Sequence, residues 1–286
     1  MTTAARPGPV PDPAKLLELA VTAAREAAGM LAGRRSAGRP GVIATKSSPT
    51  DVVTEADRTA ERMISERILA ERPGDQILGE EGGLHGGPDG AGAGTGVRWI
   101  VDPIDGTVNY LYGLPDFAVS VAAEVAGEIV AGVVHAPARG EVFTAAAGGG
   151  AWLHLAGQQA VRLRCNSGVP LAQALVATGF GYAAARRQVQ GEVAAALLPL
   201  IRDIRRGGSA AVDLCAVAAG RVDAYYERGV NYWDIAAGGL VAREAGARLD
   251  GLDGKPPSAE LTIAAGPGLF AELHAELSRL RPERDG

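Results

Sequence analysis

The stretch WIVDPIDGTVNY, at positions 99–110, ends an apolar run with two carboxylates, Asp102 and Asp105. Pro103 fixes its own φ and biases the residue before it toward extended backbone, so the chain can turn here. The turn can bring both carboxylates, and the carbonyl of Ile104, toward one point. Two carboxylates this close repel each other unless a cation lies between them. The stretch therefore suggests a metal site, although a strand and turn with an aspartate helix cap is the alternative.

The ligand chemistry of such a site would favour a hard ion. Carboxylate and carbonyl oxygens are the ligands that magnesium prefers, with manganese or calcium next. No histidine lies near these acids in the sequence, which disfavours zinc.

Gly106 and Thr107 follow the second acid directly. If residues 108–110 begin a helix, the free N–H groups at its start can bind phosphate oxygens. A glycine at position 106 would let a phosphate approach the backbone closely. A metal site next to an anion cradle indicates phosphate-ester chemistry.

Two other places in the chain offer further carboxylates. Glu80 and Glu81 follow a short predicted strand over 75–79, and Asp234 follows Trp233 at the start of an apolar helical segment. Taken alone, adjacent glutamates are typical of a solvated turn, and an aspartate before a helix is typical of an N-cap. A metal role for Asp234 is compatible with a cap, because a rigid helix end is a good place to fix a ligand.

The elements that must position these acids follow from the apolar periodicity. Helical spacing predicts one helix over 14–35 and another ending near residue 70, which Thr54 and Asp57 open as a capping box. Alternating apolar segments at 118–125, 128–135 and 141–145 predict a β-meander. Strands are then predicted over 174–180, 222–227, 247–250 and 261–266, and helices over 189–204, 209–221, 234–247 and 268–280.

This order predicts an α+β half followed by an α/β half. We expect a flexible N-terminal tail over 1–13 and an α+β domain over 14–165, with an antiparallel sheet and most of the metal ligands. An α/β domain over 166–286 would complete the metal and substrate site. The Gly-rich segment 82–98 lacks GxxxxGK[ST] and is predicted to be a flexible surface insertion.

Composition narrows the class of protein. The 286 residues are 47% apolar and 21% charged, enough for one large or two smaller cores, and the net charge of −5 without a basic run disfavours nucleic acid as a partner. Cys165 and Cys215 form no CxxC pattern, which suits a reducing compartment. Because neither a signal peptide nor an apolar run of roughly 18 residues is visible, we expect a cytoplasmic protein without membrane association.

With GEE, DPIDGT and WD in that order, the chain resembles the inositol monophosphatase family of magnesium-dependent, lithium-sensitive phosphatases. The resemblance runs from about Lys46 to Gly266, and WIVDPIDGT and YWDIAAGGLVAREAG are its most specific motifs. It implies a layered αβαβα sandwich of the inositol monophosphatase and fructose-1,6-bisphosphatase type. It also implies two or three Mg²⁺ ions, which Mn²⁺ or Ca²⁺ could replace in binding, and a homodimer.

The resemblance also implies roles for individual residues. The metal ligands would be Glu80, Asp102, the carbonyl of Ile104, Asp105 and Asp234. The catalytic residues would be Glu80, shared between metals and water, and the pair Asp51 and Thr107, which would orient and activate the attacking water. The substrate would be held by Asp105, Gly106, Thr107, Ser209, Ala210, Glu227 and Asp234.

The expected reaction is hydrolysis of a phosphate monoester by water activated at the metals, in the first place myo-inositol phosphate to myo-inositol and phosphate. Glu227 suits a polyol and would repel a second phosphate, which disfavours bisphosphates. Histidinol phosphate or another sugar phosphate is the alternative substrate. An alternative of another class is binding to a protein–RNA complex, although the basic clusters 186–188 and 202–206 are typical of solvated helix faces.

Overall fold

The computed structural model describes residues 11–36, 42–45, 52–86 and 96–284. Within these ranges the chain forms seven α-helices and fifteen strands. The helices are α1 (Pro13–Ser36), α2 (Glu55–Glu71), α3 (Thr107–Tyr112), α4 (Ala184–Leu197), α5 (Ala210–Ala218), α6 (Tyr232–Glu244) and α7 (Leu269–Leu280). The strands are β1 (Val42–Thr45), β2 (Val52–Thr54), β3 (Gln76–Gly79), β4 (Gly83–Gly86), β5 (Val97–Asp105), β6 (Ala118–Val125), β7 (Glu128–Ala136), β8 (Glu141–Ala146), β9 (Gly150–Leu155), β10 (Val161–Arg162), β11 (Leu175–Thr178), β12 (Asp203–Arg205), β13 (Ala224–Glu227), β14 (Arg248–Asp250) and β15 (Thr262–Ala265).

The strands form two large sheets and one short ribbon. The eight-stranded sheet has the order β10-β9-β8-β7-β6-β5-β3-β4, and its pairs are antiparallel except for β3 with β5. The five-stranded sheet has the order β12-β11-β13-β15-β14, with β11 parallel to both of its neighbours. The ribbon pairs β1 with β2. The predicted meander over residues 118–145 is confirmed as β6, β7 and β8.

Both faces of the eight-stranded sheet are covered by helices. Along β5, Trp99 and Val101 belong to the core formed with α1 and α2, whereas Ile100 faces the core formed with α5 and α6. This alternation follows from the two-residue period of a strand. An apolar side chain at every position of 99–101 therefore indicates a strand buried on both faces.

The five-stranded sheet packs α5 and α6 on one face and α4 and α7 on the other. Helices α5 and α6 thus lie between the two sheets, and the layers run αβαβα, as expected. The middle layer comes very close to the eight-stranded sheet at Gly132, where a Cβ atom would lie 3.0 Å from Cα of Ala237. A side chain at position 132 would therefore push α6 away from β7.

The boundaries of several elements differ from the sequence predictions. The helix predicted over 189–204 spans Ala184–Leu197 and is followed by a 3₁₀ turn containing Pro199 and then by β12. Proline has no N–H group and clashes with the preceding helical turn, so it ends the α-helix here. The predicted strand over 174–180 is shorter and ends at Thr178.

Two predictions touch chain segments that the structure describes only in part. Residues 1–10 of the predicted tail lie outside the described residues, and α1 already begins at Pro13. The Gly-rich segment contributes β4 and the start of β5, and positions 87–95 lie outside the described residues. In the part of the chain that the structure describes, none of the helices combines the length and the hydropathy that a bilayer crossing requires.

Candidate metal centre and active site

Three acids converge where β5 ends and α6 begins. Asp102, Asp105 and Asp234 each place a carboxylate oxygen within 4.8 Å of the other two, and the first two side chains are buried. The pairing of β5 with β6 shifts register between positions 102 and 105, so the Asp-Pro-Ile-Asp turn is an irregularity within the strand, and Asp105 pairs again with Ala118. The carboxylate of Asp102 accepts a hydrogen bond from the backbone N–H of Ile104 at 3.0 Å, which shapes this turn.

The negative charges of these acids repel one another, and their burial together with this repulsion raises their pKa values. Burial, and then the charges of Glu80, Asp105 and Asp234, raise the pKa of Asp102 well above its usual range. Burial raises the pKa of Asp105 to about 6, and burial followed by the Asp105 charge raises that of Asp234. Clustered buried carboxylates of this kind fit a divalent cation, because it would remove the repulsion and supply the missing charge.

Glu80 approaches the same site from the neighbouring strand. It follows the end of β3, its backbone N–H donates to the carbonyl of Val101 on β5 at 3.1 Å, and it lines the same cavity as the three acids. Its charge raises the pKa of Asp102 and of Asp234. The backbone N–H of Glu81 instead donates to a carboxylate oxygen of Glu61 at 2.8 Å.

The start of α5 holds Asp105 in place. The hydroxyl of Ser209 and the backbone N–H of Ala211 both donate to Oδ2 of Asp105 at 2.6 Å. Ser209 is also the N-cap of α5, because its hydroxyl oxygen accepts the N–H of Val212 at 3.3 Å. A side chain predicted to line the substrate therefore also orients a predicted metal ligand, and Ala210 lines the cavity beside it.

Asp234 is oriented by its own helix. The N-cap of α6 is Asn231 rather than Asp234, because the helical backbone already begins at Tyr232. Asp234 occupies the third helical position and accepts the backbone N–H of Asn231 at 2.6 Å. The carboxylate of Asp234 therefore both takes part in the cap of α6 and lies close to the other two acids.

Gly106 and Thr107 connect the acids to α3. Gly106 has φ of +91°, and a Cβ atom there would lie 2.8 Å from the carbonyl oxygen of Asp116, so the turn requires glycine. The hydroxyl of Thr107 lies 3.0 Å from the Ile104 carbonyl and 3.1 Å from Oδ1 of Asp57. Gly106 and Thr107 thus lie directly beside the clustered acids, in the lining of the same cavity.

Asp57 is the residue that the sequence interpretation did not include in the site. Asp51, the predicted partner of Thr107, lies outside the described residues. Asp57 does form the predicted capping box, accepting the backbone N–H and the hydroxyl of Thr54 on Oδ2 at 2.8 and 2.6 Å, while Oδ1 faces Thr107. Burial raises its pKa to about 6. The sequence did carry one indication of this contact. The capping box has Asp where Glu is typical, and a carboxylate that caps a helix through one oxygen keeps the other for a second partner.

Glu227 lies further along the same cavity, at the end of β13. Its carboxylate accepts the hydroxyl of Tyr225 at 2.9 Å, and burial raises its pKa to about 7. Gly179 makes room for this carboxylate, because a side chain there would overlap it.

A cavity with a volume of about 480 Å³ connects the three acids with Glu80, Ile104, Gly106, Thr107, Ala210 and Glu227, whereas the buried Ser209 and Asp57 are not among the residues that line it. Besides the predicted residues, the segment after β11 and the two basic clusters line it, through Gly179, Phe180, Gly181, Tyr182, Ala183, Arg186, Arg206 and Gly208. Of the two basic clusters predicted as solvated helix faces, 186–188 lies on α4, whereas 202–206 contains strand β12, and each contributes one arginine to the cavity lining.

Comparison with known proteins agrees with this geometry. The family model described as the inositol monophosphatase family matches residues 12–283. An inositol-1-monophosphatase of Mycobacterium bovis is 51% identical over 210 residues, which cover 72% of this chain and 71% of that protein. A protein of Pasteurella multocida named Nus factor SuhB is 40% identical over 209 residues, covering 72% and 73%.

Solved structures show the same likeness. The structure of Mycobacterium tuberculosis SuhB superposes with a TM-score of 0.80 at 44% identity, covering 95% of this chain and 99% of that one. This chain belongs to the inositol monophosphatase family.

Proposed function

We propose that this protein hydrolyses phosphate monoesters with the help of divalent cations, and that inositol-1-phosphate is its substrate. The observation that carries the proposal is the convergence of Asp102, Asp105 and Asp234 on one point, directly beside Gly106 and Thr107. Membership of the family supports the phosphatase chemistry, and the printed name of the mycobacterial relative supports the substrate.

The proposed ligands of the ions are the carboxylates of Glu80, Asp102, Asp105 and Asp234 and the carbonyl of Ile104. The donor set consists of oxygen atoms, and its carboxylates repel one another, so it fits Mg²⁺ better than a soft metal. When bound, such cations stabilise negative charge on a water nucleophile and on the phosphate oxygens. Gly106 and Thr107 are the proposed contacts of the phosphate, since the glycine leaves the backbone open to close approach.

The protein's own part in activating water is proposed to lie with Thr107 and Asp57. A Thr107 hydroxyl that donates to Oδ1 of Asp57 leaves its oxygen free to accept a proton from water. As that proton arrives at Thr107 Oγ1, the hydroxyl proton can move to Asp57. Because the pKa of Asp57 is raised to about 6, its carboxylate is a stronger base than an ordinary one and a better proton acceptor near neutral pH. In this scheme Asp57 fills the role that the sequence interpretation gave to Asp51.

The residues that line the cavity support a polyol substrate. Glu227 offers a partly buried acceptor for hydroxyl groups, and Arg186 and Arg206, which line the same cavity, offer donors. Histidinol phosphate stays the alternative, because its ammonium group would pair with Glu227.

The test is phosphate release from inositol-1-phosphate, histidinol phosphate, fructose 1,6-bisphosphate and 3′-phosphoadenosine nucleotide in parallel. We expect turnover that requires Mg²⁺, is abolished by a chelator, is inhibited by lithium and is fastest on the inositol ester. Preference for histidinol phosphate would overturn the substrate, and release that continues without any divalent cation would overturn the mechanism.

A second role is supported by the relative named Nus factor SuhB, which is 40% identical to this chain. We propose as an alternative that the protein also joins a transcription complex in the cytoplasm, and that it does so as a homodimer. An Asp102→Asn protein that cannot hydrolyse substrate would still retain polymerase or RNA in a pull-down. The role would be contradicted if this variant retained neither polymerase nor RNA and light scattering showed that the protein is a monomer.

A further inference from the structure

Helix α2 buries a line of polar side chains beside its apolar face. Asp57, Glu61 and Ser65 are 1%, 5% and 7% exposed, and their four-residue spacing places them on one side of the helix. Asp57 contacts Thr107, and Ser65 lies 3.2 Å from a ring nitrogen of His85 on β4. Glu61 stands between these two contacts and faces the turn that follows Glu80.

The carboxylate of Glu61 binds that turn with both oxygens. The backbone N–H of Glu81 donates to Oε2 at 2.8 Å, and the backbone N–H of Gly82 donates to Oε1 at 2.7 Å. Charge-assisted hydrogen bonds of this kind are about twice as strong as neutral ones. The arrangement resembles a helix cap, except that the acceptor comes from a different element.

These bonds fix the direction in which the Glu80 side chain leaves the backbone. The peptide before Glu80 is held by its N–H bond to Val101 of β5. The peptide after Glu80 is held by Glu61, because the N–H of Glu81 belongs to it. Once both peptide planes are fixed, the Cα–Cβ bond of Glu80 has one direction.

The glycines of the GEEG segment make room for this contact. A side chain at Gly79 would overlap the carboxylate of Glu61, and a Cβ atom at Gly82 would lie 2.7 Å from its Oε1 atom. Neither glycine has a φ that excludes other residues, so the close approach of Glu61 explains them better than backbone conformation does.

We propose that Glu61 is a positioning residue for the metal centre, which holds Glu80 in the direction that metal binding requires. The proposal rests on the proposed function only in that Glu80 is taken as a metal ligand. It requires no particular substrate. Removing outer partners of metal ligands typically weakens metal binding about 10- to 100-fold.

The experiment measures binding of Mn²⁺ alone to the full chain by electron paramagnetic resonance. In Glu61→Gln, one N–H of the turn would face an amide group that donates instead of accepting. We expect Mn²⁺ affinity to fall by about 10- to 100-fold. We expect the exposed control Glu66→Gln, on the same helix, to keep wild-type affinity. Mn²⁺ affinity within twofold of wild type in Glu61→Gln would overturn the proposal.

A double-variant cycle separates positioning from a general loss of structure. If Glu61 acts through Glu80, its substitution should cost little further Mn²⁺ affinity in a Glu80→Ala background. Equal losses in both backgrounds would overturn the proposal. If Glu61→Gln fails to fold, Gly82→Ala takes its place as the test. This variant displaces the carboxylate of Glu61 without changing it, and we expect the same weakened Mn²⁺ binding. Wild-type affinity in that variant would count against the proposal.

Failure of this proposal and failure of the proposed function give different results. A wild-type protein that binds Mn²⁺ but releases phosphate from none of the four esters would remove the function and leave the role of Glu61 testable by the same binding data. A wild-type protein that binds no Mn²⁺ would overturn the metal centre and this proposal together.

Discussion

The hydroxyl group of Thr107 lies 3.1 Å from Oδ1 of Asp57, which joins the first residue of α3 to the first turn of α2. Asp57 uses its other oxygen to cap α2 through Thr54. One carboxylate thus fixes a helix start and holds a hydroxyl group beside the cluster of acids. This double use gives the first prediction.

Asp57→Asn should fold, because an amide oxygen can still accept one of these hydrogen bonds. We expect kcat to fall by roughly 10²–10⁴-fold, since the amide cannot take up a proton. The measurement is steady-state phosphate release at saturating Mg²⁺. Asp253→Asn, at an exposed aspartate far along the chain, is the matched control and should stay near wild type. If instead Asp51→Asn were inactive and Asp57→Asn active, the role would belong to Asp51.

Asp102→Asn should lose Mg²⁺-dependent activity by more than about 100-fold, because it removes a charge from the centre of the proposed ligand set. The metal-free variant should unfold at a higher temperature than the metal-free wild type, since the repulsion that raises the pKa of Asp102 is gone. Calorimetry with a chelator measures this. A substitution at an exposed aspartate, Asp253→Asn, should change neither property. A lower unfolding temperature in Asp102→Asn would contradict the electrostatic account.

Added Mg²⁺ should stabilise the wild-type protein by linkage, by about 2.7 kcal/mol at a concentration 100 times its dissociation constant. Thermal shift across a Mg²⁺ series measures the effect. The shift should nearly vanish in Asp102→Asn, which keeps the fold but not the full ligand set. A shift of the same size in this variant would place the ion elsewhere.

Glu227 should make the stability of the metal-free protein depend on pH. Because its pKa of about 7 in the folded chain exceeds the ordinary 4.5, the folded state holds the proton more tightly than the unfolded state. The associated stability is complete below about pH 4.5 and is lost as the pH rises to about 7. The difference between wild type and Glu227→Gln should therefore change by roughly 3 kcal/mol at most over this range. Urea unfolding of both proteins with a chelator measures it, and a difference independent of pH would exclude this assignment.

Gly106→Ala should destabilise the protein by more than Gly127→Ala does. Both glycines have positive φ, which costs another residue about 1–3 kcal/mol. At Gly106, however, the added methyl group would also meet the Asp116 carbonyl, whereas Gly127 has open space around it. Urea unfolding of the two variants isolates the close contact. Equal losses would mean that the turn tolerates a side chain.

Local patterns predicted the parts of this fold that depend on neighbours in sequence. The capping box at Thr54 and Asp57, the meander and the convergence of Asp102 with Asp105 all follow from residues a few positions apart. That Asp234 would meet them followed from the family resemblance. Spacing alone could not predict it, because the contact depends on how α6 packs between two sheets.

The same limit explains what the sequence did not predict. On α2, the helical spacing of Ala60 and Ile64 is typical of a buried face, but Glu61 is buried as well, which no hydropathy pattern indicates for a carboxylate. Arg186 belongs to a basic cluster typical of a solvated helix, and its place in the cavity depends on the course of the chain after β11. The helix predicted over 189–204 extends too far, because Pro199 cannot continue an α-helix and α4 ends at Leu197.

Asp102 and Asp105 are synthesised long before Asp234, and they lie in a different layer from it. During translation, the emerging polypeptide would carry Glu80, Asp102 and Asp105 before the last carboxylate of the proposed set, that of Asp234 on α6, has left the ribosome. The proposed ligand set is therefore completed late in synthesis, when α6 packs between the two sheets and brings its carboxylate to the other three.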